Sequence, residues 1–272
     1  MTQLPTTETL RLTLGPDGWL TVLLNRPESR NALSAQMADE LTATFEAIAP
    51  DRAVRGVTLR GAAGTFCSGG DLKGFKSDLQ GGDGGVAAAA AANAKGGELY
   101  DLINEAPQPV IALVEGAAMA GGLGMVCCAD LVAVTETSKY ALTETKLGFP
   151  PAQIAHFVVE RVGLAAARRL TLTAARFDGT EAGRIGIADV VVADAAGLEA
   201  QEAAWKADIL ATAPAAAAWT KRLLFSSRRL SRADQRALAG QGFGECLMGP
   251  EGREGVASFI EKRRPAWAVS NS

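Results

Sequence analysis

Histidine is nearly absent from this chain: His156 is the only one in 272 residues. A serine–histidine or cysteine–histidine mechanism would have to run through that one ring. It lies in the apolar segment Gln153-Ile154-Ala155-His156-Phe157-Val158. That setting suits a packed or partly exposed ring as well as the wall of a substrate pocket. A metal centre built on one histidine without paired carboxylates is excluded. The four cysteines, Cys67, Cys127, Cys128 and Cys246, form no C-x-x-C pair, so neither a zinc site nor a thioredoxin-type site is expected. The neighbours Cys127 and Cys128 sit in an apolar run and read as small core residues. Unpaired cysteines suit a reducing compartment, and a cytoplasmic location is expected. Aromatic residues are only 6% of the chain, and 27 Lys and Arg against 30 Asp and Glu leave a net charge of −3. With no basic cluster and few stacking rings, a nucleic-acid partner is not expected. No uninterrupted apolar run reaches the ~18 residues of a membrane span. The opening MTQLPTTETL has neither the basic nor the apolar region of a signal peptide, and no membrane association is expected.

What is present is a globular composition, 48% apolar and 21% charged, with room for an enzyme-sized core. The length suggests roughly two structural units at ~150 residues each. Abundant alanine and glycine fit close backbone packing, and fit GC-rich codon usage equally well. Residues 8–25 read as a hairpin, with Leu10–Leu14 and Trp19–Leu24 flanking the turn Gly15-Pro16-Asp17-Gly18. Ser34 precedes an apolar stripe at Met37, Leu41, Phe45 and Ile48, which predicts a helix. Gly56–Leu59, Pro109–Val114 and Leu131–Val134 read as strands, so strands alternate with helices in an α/β fold. Residues 78–97 look least structured. Their glycines, Gly81, Gly82, Gly84 and Gly85, predict a flexible connector, and Ala87 to Ala92 a weakly packed helix that could act as a mobile lid. From Leu198 the pattern becomes purely helical: Leu198–Ala211, Pro214–Phe225, Ser231–Leu247 and Glu251–Lys262. The expected division is an α/β core over 1–197 and a helical region over 198–272.

Two glycine-rich stretches each follow a predicted strand: Gly61 to Lys73, and Gly116 to Gly124. Neither is a phosphate-binding G-x-x-x-x-G-K-[ST] loop nor a clean G-x-G-x-x-G, which disfavours ATP and dinucleotides. Glycine loops at helix starts still expose backbone N–H groups, and two of them could aim donors at one developing oxyanion. Glycines that only permit tight turns would look the same.

These segments together resemble the crotonase, or enoyl-CoA hydratase/isomerase, superfamily over nearly the whole chain. The likeness rests on Asn25-Arg26-Pro27 with Asn31-Ala32-Leu33, Phe66-Cys67-Ser68-Gly69-Gly70-Asp71-Leu72, and Pro109-Val110-Ile111-Ala112. It continues through Gly116 to Gly124, Ala129-Asp130-Leu131, Thr143-Glu144 before Leu147-Gly148, and the tail Glu254-Gly255 to Arg263. The resemblance implies a spiral of β-β-α turns with a C-terminal helical trimerisation region, assembled as a homotrimer or a dimer of trimers. It implies an acyl-CoA thioester substrate with coenzyme A as part of that substrate and no further cofactor. The expected oxyanion hole is the N–H groups of Gly70 and Gly121, and the expected acid/base is Glu144. Ser68 is expected at the adenine, and Asp71, Leu72 and Lys73 along the CoA path. Phe243, Phe259 and Lys262 are expected to shape the CoA site, the last two from a neighbouring subunit.

The sequence departs from that family in two places. Hydratases with two carboxylates carry a glutamate three residues after the second oxyanion glycine, where this chain has Gly124. The segment from Leu147 to Ala155 lacks the usual Gly-Gly-Thr-Gln run and resembles the branch that hydrates 3-methylglutaconyl-CoA and isohexenylglutaconyl-CoA. A glutaconyl ester carries a free carboxylate, for which His156 and Gln153 are candidate partners. The expected reaction is hydration of a 2-enoyl-CoA at C2–C3. A Δ3-Δ2-enoyl-CoA isomerase that shuttles a proton on one glutamate is the alternative, with a non-catalytic acyl-CoA binder behind it.

Overall fold

A computed structural model describes residues 3–71 and 85–268. The N-terminal hairpin forms as expected. β1 (Leu10–Leu14) pairs antiparallel with β2 (Trp19–Leu24), from Leu10 opposite Leu24 to Leu14 opposite Leu20. Gly18 supplies the positive φ of 79° that the turn requires. Ser34 then caps α1 (Ala35–Ile48), its side chain accepting from the Met37 N–H at 3.2 Å. The stripe of Met37, Leu41, Phe45 and Ile48 is buried, which stabilises the fold by roughly 1.5–3 kcal/mol for each side chain.

The chain then climbs in repeated turns. β3 (Gly56–Gly61), β4 (Val110–Val114), β6 (Leu131–Thr135) and β9 (Val190–Val192) join the hairpin in a six-stranded sheet of order β1-β2-β3-β4-β6-β9. All its pairs except β1 with β2 are parallel. A second sheet contains β5 (Ala117–Met119), β7 (Lys139–Ala141) and β8 (Phe177–Asp178), in the order β5-β7-β8. Single parallel bridges extend this second layer, Leu33 with Gly70 and Cys67 with Ala118. Each turn thus runs from a strand of the large sheet, through a short extended segment, into a helix. β3 leads through Cys67 to α2 (Gly85–Glu105). β4 leads through β5 to α3 (Gly121–Cys128). β6 leads through β7 and a short 3-10 turn (Glu144–Leu147) to α4 (Ala155–Thr173), which breaks at Gly163. This is the spiral of β-β-α turns that the resemblance implies.

After β8 come α5 (Gly179–Arg184) and β9, and then α6 (Ala195–Leu210), α7 (Pro214–Ser226), α8 (Arg232–Met248) and α9 (Pro250–Ile260). α6 lies on the large sheet. Its Leu198 and Leu210 are buried in a second apolar cluster with Trp19, Ile111, Leu113 and Ala133. α7 is pinned by Lys221, whose Nζ reaches Asp130 Oδ2 at 2.6 Å, while the same oxygen accepts from the Val110 N–H at 2.8 Å.

The alanine run forms the weakly packed helix expected of it. Ala87 to Ala92 form the exposed N-terminal turns of α2, a continuous 21-residue helix that becomes buried from Gly97 onward at Leu99, Tyr100 and Ile103. Alanine's helix propensity sustains these turns without packing. The glycine connector of the expected lid lies outside the described residues. Among the described residues, no helix is long and apolar enough to cross a membrane.

Candidate active site

The spiral stacks equivalent positions of successive turns. Cys67 sits in register with Ala118, and Ala118 with Tyr140. Three residues past Cys67 is Gly70, three past Ala118 is Gly121, and four past Tyr140 is Glu144. Each of the three principal expected residues therefore follows the second layer, where its turn passes from strand toward helix.

The first loop is held on one side only. The Leu33 N–H donates to the Gly69 carbonyl at 2.8 Å, and the Asp71 N–H donates to the Leu33 carbonyl at 3.0 Å. A parallel bridge that uses the residues flanking Gly70 turns Gly70's own N–H to the opposite face. No hydrogen bond from that N–H exists among the described residues. Arg26 buttresses the loop, donating to the Ala32 carbonyl at 2.7 Å and to Asp71 Oδ2 at 3.2 Å. Buried Asn31 supports it from below, donating to the Ala62 and Thr65 carbonyls at 3.0 and 2.6 Å. The Asn-Arg-Pro and Asn-Ala-Leu motifs are thus the frame of the Gly70 loop.

The second loop turns at Ala120, whose φ of 47° and ψ of −122° belong to a region that glycine enters far more readily. The Ala120 N–H donates to the Ala141 carbonyl at 2.8 Å, and its carbonyl accepts from the Gly124 N–H at 3.0 Å. This sharp turn starts α3 at Gly121, whose N–H is among the helix's first unpaired donors and at its positive end. The two loops touch: a Cβ on Gly69 would lie 3.1 Å from the Ala120 Cβ. Gly70 and Gly121 are the next residues along these two touching loops.

Glu144 opens the 3-10 turn after β7 and is 7% exposed. Its Oε2 is buried without a hydrogen-bond partner among the described residues. Burial raises the carboxyl's pKa, and its own backbone N–H partly offsets the rise. A carboxylate kept dry and unpaired is poised to accept a proton from whatever enters beside it.

Among the described residues, the nearest neighbours that Gly124 faces include no second carboxylate. A Cβ there would run into the Ile154 side chain and come within 3.0 Å of Tyr100 Cε1. Tyr100, on α2, is buried and donates its phenol to the Gly121 carbonyl at 3.3 Å. Its ring is tilted against Phe157 at 6.2 Å. Burial pushes the phenol's pKa well above its ordinary range, and neighbouring Cys67, Cys128 and Glu144 push the same way, so it stays neutral. Sequence reasoning missed Tyr100, because nothing local marks it and only the spiral brings α2 over α3. Buried Cys67 and Cys127 are held as thiols, pushed up to about 11 and about 12.

Other expected residues are placed differently. The Ser68 N–H is taken by the Arg30 carbonyl at 3.0 Å and its hydroxyl by the Ser29 carbonyl at 3.1 Å. Asp71 is engaged by Arg26. Leu72 and Lys73 lie outside the described residues. His156 is exposed, its ring 3.8 Å from that of Phe157. Gln153 donates to Asn93 Oδ1 at 2.7 Å, latching the loop before α4 to α2. Phe243 on α8, and Phe259 and Lys262 at the end of α9, are exposed. No hydrogen bond or ion pair among the described residues joins them to the two glycine loops. Among the described residues, no cluster of His, Cys, Asp and Glu could hold a metal.

A spiral of β-β-α turns that carries two glycine loops and a buried carboxylate on successive turns defines the class of this fold. The profile of the enoyl-CoA hydratase/isomerase family matches residues 16–270, and the chain belongs to that family. Among solved structures, it is similar to AtuE from Pseudomonas aeruginosa, with a TM-score of 0.91 and 43% identity over 96% of this chain and 100% of that one. An enoyl-CoA hydratase/isomerase from Marinobacter aquaeolei has a TM-score of 0.90 and 40% identity, covering 96% and 99% of the two chains. A probable enoyl-CoA hydratase of Rhizobium meliloti is 34% identical over 245 residues, 89% of this chain and 91% of its own.

Proposed function

We propose that this enzyme adds water across the C2–C3 double bond of a 2-enoyl-CoA thioester. The observation that carries the reading is the buried Glu144 Oε2 that lacks a partner among the described residues, alongside Gly70 and Gly121 N–H groups that make no hydrogen bond there. The thioester oxygen accepts from Gly70 and Gly121. Glu144 takes one proton from a water as that water's oxygen bonds to C3. The π pair moves through C2 onto the thioester oxygen, giving an enolate held by the two N–H donors. Glu144 then returns the proton to C2 as the carbonyl re-forms. Charge grows on the oxygen only in the transition state, which is where preorganised donors act most strongly. Loss of one such donor typically costs 10²–10³ in turnover, about 2.7–4 kcal/mol.

A second reading has a specific observation behind it. With the space beyond Gly124 filled by Ile154 and Tyr100, Glu144 is the one expected catalytic carboxylate among the described residues, and one carboxylate suffices to move a proton between C2 and C4. Mass spectrometry of product from crotonyl-CoA, 3-methylglutaconyl-CoA and a 3-enoyl-CoA separates the readings. Hydration raises product mass by one water. A 3-enoyl ester that is consumed without mass change, with no hydrated product from either 2-enoyl ester, makes the enzyme an isomerase. The glutaconyl arm tests the branch that Leu147 to Ala155 resembles.

The C-terminal helices support self-association as a trimer or a dimer of trimers. Val256, Phe259 and Ile260 share one face of α9 and are 52%, 85% and 73% exposed, and Phe243 and Met248 lie exposed on α8. Such apolar faces seek cover. In that assembly Phe259 and Lys262 are placed to reach a neighbour's CoA. Sedimentation giving a monomer at micromolar concentration removes this part of the proposal.

A further inference from the structure

Tyr100 Oη and Glu144 Oε2 are two buried oxygens that lack a donor among the described residues. The phenol proton is committed to the Gly121 carbonyl, which leaves the Oη lone pairs without a donor among the described residues. Glu144 Oε2 is in the same condition. The phenol oxygen lies at the edge of the oxyanion loop: a Cβ on Gly121 would fall 2.6 Å from it. The ring edge below it closes the space that a side chain at position 124 would enter. One water carries two protons, enough to satisfy both acceptors. A water held by both its protons keeps its lone pairs free, and one of them can attack.

We infer that Tyr100 is a catalytic residue that holds the attacking water opposite Glu144, supplying as a neutral acceptor the second anchor that a carboxylate at position 124 would otherwise give. This rests on the hydration reading and adds the device by which one glutamate suffices for it. The phenol transfers no proton. Of the two water protons, one goes to Glu144 and on to C2, and the other stays on the new hydroxyl at C3 while hydrogen-bonded to Tyr100 Oη. The water oxygen forms the bond to C3, and the π pair leaves toward the thioester oxygen.

The test is Tyr100→Phe in the full-length protein, which keeps the ring against Phe157 and removes only the oxygen. Two reactions are read side by side. Hydration of whichever 2-enoyl-CoA the wild type turns over needs the water. Exchange of the C2 hydrogen of the corresponding saturated acyl-CoA in deuterated buffer needs Glu144 and the two N–H donors, but no attacking water. The expected result is a fall in hydration kcat of tenfold or more, with KM within threefold and exchange within twofold of wild type. Unchanged hydration overturns the inference. Hydration and exchange lost together also overturn it, because Tyr100 then only shapes the oxyanion loop. A wild type that exchanges but hydrates no ester removes the hydration reading and this inference together, so the two failures are told apart by the wild-type assay alone.

Discussion

Gly124 and Ile154 share one volume. A side chain at position 124 would begin inside the space that the Ile154 side chain fills, with Tyr100 Cε1 closing the third side. A side chain on α3 at position 124 and the branched apolar residue before α4 are therefore mutually exclusive in this packing.

That coupling predicts non-additive energetics. Gly124→Glu alone overpacks a buried site and adds an acid to it, and should cost at least about 2 kcal/mol of stability. Ile154→Ala alone leaves a cavity and costs a similar amount. The double variant should be more stable than the sum of the two losses implies, by more than about 0.5 kcal/mol. Denaturant titration of all four proteins measures the cycle. Additive losses would show that the two side chains do not compete for space.

Glu144→Gln separates chemistry from binding. Turnover should fall by roughly 10²–10⁴, as for removal of a general acid/base, while acyl-CoA affinity stays within a few-fold. An indifferent turnover would make the chain a binder or move the chemistry elsewhere.

The same substitution carries a pH signature in stability. Burial raises the Glu144 carboxyl above its usual 4.5, so the folded chain binds this proton more tightly than the unfolded chain. Below about 4.5 both states are protonated, and wild type and Glu144→Gln should melt alike. As pH rises through the elevated folded value, the wild type must bury a charge and loses stability relative to the variant. At pH 7 the variant should be the more stable of the two. Hydration should show an acid limb at the elevated value, since the base must be ionised. A variant less stable than wild type at pH 7 would mean that the carboxylate has a stabilising partner.

Ala120 adopts a backbone conformation that costs a residue with a Cβ about 1–3 kcal/mol. Ala120→Gly should relieve part of this and raise stability by up to about 1 kcal/mol, with activity retained. Ala120→Val should destabilise by more than that and impair turnover, because the turn aims Gly121. Thermal melts and kcat of the two variants check it.

Arg26 holds the Gly70 loop through two elements at once, the Ala32 carbonyl and Asp71. Arg26→Ala should lower stability by about 1–2 kcal/mol and turnover by more than substrate affinity, since it loosens an oxyanion donor. Arg26→Lys should not restore activity, because a single ammonium cannot span both acceptors. Full activity in Arg26→Lys would reduce the residue to a point charge.

Local pattern was enough for much of this molecule. The hairpin, the Ser34 cap and its buried stripe, the three parallel strands and the four C-terminal helices follow from apolar spacing and turn residues, which act over a few neighbours. The motif order, through the family resemblance, points to Gly70, Gly121 and Glu144. The short strands β5, β7 and β8 were not legible, because two or three residues carry no periodicity and exist only by pairing across turns. The same holds for Tyr100, Ile154 and Arg26. Their roles depend on α2 lying over α3, on the loop before α4 closing against position 124, and on Arg26 reaching 45 residues along the chain to Asp71. Sequence settled which chemical groups the chain carries and where each turn begins. Only the stacking of those turns, driven by burial of the parallel sheet between layers, decided which groups meet.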